Sequence, residues 1–252
     1  MNVQDRWPKP FETMVVMGES TVQGGPWLDR TEDRWTDVLV RLINACQEKP
    51  VTYHNKGIGA NAISPRSPGY ANSAKPSALE RYRDDVIALK PDLFILCYGL
   101  NDMRAGMNVE EFRSDMQTII RDVQEDCCPL TVLTTIYHMT GFRSFPPYDK
   151  GGIRQTQVYN EVIRQLAEDH GCLLADVWDA QGLADWLINP DGVHANVVGN
   201  LIIAHRVFET LARYCSGLTV TAHAHDAETA WGKGVIPRRA AWGDPYTTAW
   251  GA

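Results

Sequence analysis

The 252-residue sequence has no stretch approaching the ~20 consecutive apolar residues of a membrane span. Its first ten residues carry charges and two prolines, Pro8 and Pro10, and lack the apolar run of a secretory leader. A cytoplasmic protein with no membrane partner is therefore expected. Basic residues do not dominate: 24 Lys and Arg face 31 Asp and Glu, a net charge of −7. That balance argues against a broad phosphate-backbone footprint, so no nucleic-acid partner is expected. Cysteine is scarce. Cys46, Cys97, Cys127, Cys128, Cys172 and Cys215 match no zinc spacing, and the neighbours Cys127 and Cys128 could bridge only with difficulty. Buried free thiols are expected. Histidines and carboxylates do not cluster as metal ligands. His223-Ala224-His225 is the one local candidate, and it reads better as a surface strand or loop. The loop Asn55-Lys56-Gly57-Ile58-Gly59-Ala60-Asn61 lacks both the dinucleotide fingerprint and the Lys-Ser/Thr ending of a phosphate loop. No metal and no cofactor are expected.

What is present is an ordinary globular composition, 44% hydrophobic and 22% charged. Short apolar runs read as strands at 13–17, 51–54, 93–98, 130–137 and 172–177. Between them, helical spacing appears at 33–46, 78–89, 109–124 and 156–170, and a last helix at 197–214. Strands that are apolar throughout, alternating with helices, predict a five-stranded parallel sheet covered on both faces. Ligands bind such sheets beyond the carboxyl ends of the strands, which directs attention to Ser20, to the loop after His54 and to the loop after Tyr98. Residues 1–215 are expected to form this α/β domain. Residues 216–252 lack a clear period and repeat Ala-Trp-Gly at 230–232, 241–243 and 249–251. They are expected to form an irregular arm that packs on the body or reaches a neighbouring subunit in a homo-oligomer.

Four polar blocks stand at those places. Gly18-Glu19-Ser20 follows the first strand; by itself such a serine is as well suited to a turn or cap, and it needs a base to become a nucleophile. Asp191-Gly192-Val193-His194 puts a carboxylate three residues before a histidine. That pair can serve as orienter and general base, and Asp191 could equally cap a helix starting near His194. Gly99-Leu100-Asn101-Asp102 follows the most apolar strand and offers a side-chain amide to a developing oxyanion; it also suits a plain turn. The loop 55–61 can add a backbone N–H.

The joint order of these blocks, from Thr13 to about Leu211, resembles the SGNH hydrolases, also called the GDSL esterase/lipase superfamily. The resemblance implies a flavodoxin-like three-layer α/β/α sandwich and metal-free ester hydrolysis. It implies Ser20 as nucleophile, His194 as base and Asp191 as its partner. The oxyanion would be held by the Ser20 and Asn101 donors and by an N–H of the second loop. Two departures from the family pattern stand out. Glu19 replaces the usual aspartate, and the family's Asn-x-x-x-x-Gly spacing from Asn55 lands on Ala60 rather than on Gly59. The expected partner is a small-molecule ester, an O-acetylated sugar first and a short-chain carboxylic ester or thioester next. An acyltransferase shares the same acyl-enzyme, and a non-catalytic binding module would share only the fold. Trp27, Trp35, Tyr70, Arg104, Phe142 and Phe145 are expected in or near loops edging the site.

Overall fold

A computed structural model of the chain describes residues 4–218 and Glu228. The expected arm falls almost wholly outside the described residues, as do its tryptophans and His223 and His225. Five strands form one parallel sheet: β1 (Thr13–Gly18), β2 (Thr52–Gly57), β3 (Leu93–Cys97), β4 (Leu130–Thr134) and β5 (Leu173–Ala175), in the order β2-β1-β3-β4-β5. The helices are α1 (Ser20–Gln23), α2 (Trp35–Asn44), α3 (Ala78–Asp85), α4 (Leu100–Ala105), α5 (Val109–Cys127), α6 (Ile153–Asp169), α7 (Val177–Gln181) and α8 (Val197–Tyr214). α2 packs on α8, while α5 packs on α3 and α6. This is the flavodoxin-like order and the three-layer arrangement expected.

The apolar runs explain the layers. Met14, Val15, Val16 and Met17 of β1 and Leu93, Phe94, Ile95 and Leu96 of β3 are fully enclosed. Both faces of these strands must therefore be covered. Trp35, Val38, Leu39 and Ile43 of α2 and Phe112, Met116, Ile119 and Ile120 of α5 belong to the same apolar core. The chain runs outward from β1 to β2, then returns across β1 to β3. The topological switch point thus lies between the carboxyl ends of β1 and β3, where a cleft is expected.

Some boundaries differ from the pattern. β2 continues to Gly57, through residues whose polarity had suggested a turn. It is an edge strand, and its polar side chains find partners: Asn55 Nδ2 donates to the Val22 carbonyl at 2.7 Å, and Lys56 pairs with Asp85 at 3.0 Å. β4 stops at Thr134 although the apolar run continues. From there side chains replace the ladder, with Asn160 Oδ1 accepting from Ile136 N–H at 2.7 Å and Asn160 Nδ2 donating to the Ile136 carbonyl at 2.9 Å. All six cysteines are free thiols. Only Cys215 is buried, and Cys128 is exposed at the end of α5, where the chain reverses with φ +51°. Among the described residues, no helix is long and apolar enough to cross a membrane.

Candidate active site

Ser20 opens α1 directly after β1. The turn needs Gly18, because a Cβ there would sit 2.6 Å from the Cys97 carbonyl of the neighbouring strand. Ser20 is buried, and its Oγ lies 2.9 Å from His194 Nε2. His194 Nδ1 lies 2.7 Å from Asp191 Oδ2. Asp191 does not cap a helix, as the alternative reading had it. α8 starts at Val197 with Asn196 as its cap, the Asn196 Oδ1 accepting from Gly199 N–H at 3.0 Å. Asp191 instead folds its own turn: Oδ1 accepts from Val193 N–H at 2.8 Å and His194 N–H at 2.9 Å, leaving Oδ2 for the imidazole. Gly192 makes that turn possible with φ +77°. Its carbonyl accepts from Thr140 N–H at 3.0 Å and Gly141 N–H at 2.6 Å, which anchors the turn to the segment after β4.

These contacts set the charges. Partial burial raises the Asp191 pKa, but the N–H groups of His194 and Val193 and the imidazole outweigh it and hold the carboxyl below its ordinary value. Burial lowers the His194 pKa below its ordinary value; Asp191 opposes this and Arg104 adds to it. A neutral imidazole held by a carboxylate and touching a hydroxyl can take that hydroxyl's proton.

Trp27 lies flat on the other face of this histidine. The two ring centroids are 3.5 Å apart and the planes are within 6° of parallel. The sequence offered Trp27 only as one loop aromatic among several. Its stack on a residue 167 positions away is a tertiary fact that no local pattern carries.

Asn101 sits in the first turn of α4, and not in the plain turn of the alternative reading. Its Nδ2 donates to the Asn61 carbonyl at 3.0 Å, which occupies one of its two N–H bonds and aims the group. Asn61 is itself pinned. Its Nδ2 donates to the carbonyls of Ala74 and Pro76 at 2.7 and 2.9 Å, and its Oδ1 accepts from Tyr98 OH at 2.6 Å. Tyr98 OH in turn accepts from buried Arg81 at 2.7 Å. The sequence assigns no part in the site to Tyr98 or Arg81, and Asn61 enters it only as one residue of the loop 55–61.

Glu19 ties the two halves together. Its carboxylate accepts from Leu100 N–H at 3.0 Å and Asn101 N–H at 3.2 Å, joining the end of β1 to the start of α4. Complete burial and the nearby Asp102 push its pKa up to about 8, against the pull of the two N–H groups and Arg104. With glutamate in place of aspartate, a carboxyl group still fastens the serine strand to the asparagine helix.

Gly59 and Ala60 line the same cleft as Ser20 and Asn101. Ala60 has φ +52°, the left-handed region where a glycine would be relaxed. The cleft, about 610 Å³, is also lined by Trp27, Arg104, Ser144, Phe145, Tyr148, Asp191 and His194. Of the residues expected at its edge, three therefore lie elsewhere. Trp35 is in the core with its indole N–H on the Thr21 carbonyl, Tyr70 OH bonds Glu80, and Phe142 packs beside His138.

Comparison with known proteins bears on the family and the fold. A family model for the GDSL-like lipase/acylhydrolase family matches residues 16–202. The acetylxylan esterase of Geobacillus stearothermophilus is 24% identical over 186 residues, covering 66% of this chain and 75% of that protein. The crystal structure of a lipase/acylhydrolase from Enterococcus faecalis superposes with a TM-score of 0.64 at 20% identity, covering 79% of this chain and 95% of the other. That of the acetylxylan esterase Axe2 from Geobacillus stearothermophilus gives 0.61 at 20% identity, with 84% and 96% covered. At such identity the structural likenesses speak for the fold. The family match, which spans the serine, the asparagine and the Asp-x-x-His turn, goes further: this chain belongs to the GDSL-like lipase/acylhydrolase family.

Proposed function

We propose that this hydrolase is a serine esterase that removes a short acyl group from a small oxygen ester, with an O-acetylated sugar as the favoured substrate. The single observation that carries the reading is the unbroken relay Ser20 Oγ–His194 Nε2 at 2.9 Å and His194 Nδ1–Asp191 Oδ2 at 2.7 Å, opening into the cleft. Ser20 attacks the ester carbonyl as His194 takes its proton, and Asp191 steadies the imidazolium. The oxyanion is held by the Ser20 N–H, by the N–H of Gly59 or Ala60 and by the free N–H of the Asn101 amide. His194 returns the proton to the leaving alcohol, then activates the water that hydrolyses the acyl-enzyme.

Acetyl specificity is supported by the acetylxylan esterase among the relatives. The cleft, with apolar Trp27 and Phe145 beside polar Ser144 and Arg104, suits a polyhydroxylated ring. The test is acetate release from acetylated sugars and from 4-nitrophenyl acetate. Ser20→Ala should abolish it while leaving circular dichroism and Tm unchanged, and Asn101→Ala should lower kcat by about 10²–10³. Full activity in Ser20→Ala would refute the assignment. Transfer of the acetyl group to an added alcohol in preference to water would make the protein an acyltransferase instead.

A further inference from the structure

Arg104 is a cation in an unusual setting. It lies on α4 three residues after Asn101, lines the same cleft as Ser20 and His194, and is only 6% exposed. A guanidinium carries five N–H donors in a planar fork and is ordinarily paired when buried. Among the described residues, Arg104 makes no ion pair within 4 Å, and its one side-chain hydrogen bond runs from Nη2 to Ser144 Oγ at 2.8 Å. Its Nε is enclosed with no partner. Tyr148 lies under the guanidinium, 5.6 Å from ring centroid to Cζ, a contact that does not neutralise it.

The carboxylates nearby are already engaged. Asp191 accepts from two backbone N–H groups and from His194. Glu19 gives both oxygens to Leu100 and Asn101 N–H. A buried cation with no carboxylate in direct contact, acted on by Glu19 and Asp191 only at longer range, costs free energy that a closer anion would offset. The cleft supplies the place where such a group could enter.

Resting on the esterase reading, we infer that Arg104 selects esters that themselves carry a carboxylate, such as an O-acetylated uronic acid, over uncharged ones. The carboxylate takes the guanidinium as its partner while the ester carbonyl sits between Ser20 and the oxyanion donors. Arg104 is then a specificity-determining residue that touches the substrate away from the reacting atoms. Its contribution is to binding, so it shows mainly in KM.

Matched substrates test this in the unmodified protein. Acetate release is measured from O-acetylated galacturonic acid and from its methyl ester, which differ by one charge. A second pair, 4-nitrophenyl hemisuccinate and its methyl ester, places the charge on the acyl side. The inference expects kcat/KM to favour the charged member of one pair by about tenfold or more, chiefly through KM. In Arg104→Gln that ratio should fall to about one, with Arg104→Lys intermediate because an ammonium keeps the charge but loses the fork. Equal treatment of both members in both pairs by the unmodified protein overturns the inference and leaves the esterase intact. A preference that survives Arg104→Gln overturns it too. If neither pair nor 4-nitrophenyl acetate is hydrolysed, it is the esterase reading that fails.

Discussion

His194 is held from three sides: by Asp191 at its Nδ1, by Ser20 at its Nε2 and by the face of Trp27. In the proposed mechanism it takes the serine proton and becomes a cation lying on an indole face, a contact worth about 0.5–2 kcal/mol. Trp27→Leu should therefore lower kcat by roughly twofold to thirtyfold. The pH profile separates this from mere packing. As the proposed base His194 must be neutral, and its pKa lies below the ordinary 6.5, so kcat/KM should rise with pH through a midpoint below 6.5. Loss of the indole face should move that midpoint lower still, and Trp27→Phe should restore part of both effects. An unchanged midpoint in Trp27→Leu would leave Trp27 as a wall of the cleft only. Ala60 permits a second test. At φ +52° a Cβ costs about 1 kcal/mol, while glycine loses a comparable amount through the freer unfolded chain. Ala60→Gly should thus keep its activity and shift stability by no more than about 1 kcal/mol in urea unfolding, whereas Ala60→Val should lose both. At this scale the sequence is legible where chemistry follows a spacing, as in Asp191 and His194. It is silent on Trp27, on Asn61 and on the isolation of Arg104, because each depends on what a distant segment brings alongside.

The elements divide the same way. Long helices were legible because one-sided burial imposes a period, and central strands because burial on both faces makes a continuous apolar run: α8 spans the expected 197–214 without error. The two short helices that carry Ser20 and Asn101, α1 and α4, were not. Four and six residues are too few to display a 3.6-residue period, and their sequences, Ser-Thr-Val-Gln and Leu-Asn-Asp-Met-Arg-Ala, suit turns equally well. What makes α4 start where it does is Gly99 at φ +118° together with Glu19, which receives its first two N–H groups. Those groups lack partners within the helix. Glu19→Ala would leave both buried and unsatisfied, at about 1–3 kcal/mol each. Urea unfolding should show a loss of at least about 2 kcal/mol. Activity should fall further than stability, because Asn101 loses its tether to the serine strand. Glu19→Asp, the family's usual residue, should recover most of both. A Glu19→Ala variant with unaltered kcat would mean that the α1–α4 link has no part in setting the oxyanion donors.

On the scale of the whole molecule, the site is assembled from segments 174 residues apart, which the sheet and the turns anchored to its carboxyl ends bring together. Ser20 and Asn101 hang on β1 and β3, which pair directly, Gly18 beside Cys97. The core beneath them is therefore the support of the chemistry, and magnitude distinguishes it from the surface. Phe94, in the middle of the central strand, is completely enclosed, while Trp186 is 78% exposed. Both are large aromatics, and a count of hydrophobic residues would treat them alike. Truncating Phe94 removes buried surface and leaves a cavity between packed layers, so Phe94→Ala should cost about 3–5 kcal/mol. Trp186→Ala removes little that was out of water, and the Trp186 carbonyl that accepts from Asn196 at 2.7 Å belongs to the backbone and survives the change. It should stay within about 0.5 kcal/mol of the unmodified protein. Denaturant midpoints with matched slopes give both numbers directly. Equal losses would show that the exposed tryptophan is held against something in solution, and the distinction between support and surface drawn from burial would then be wrong at that position.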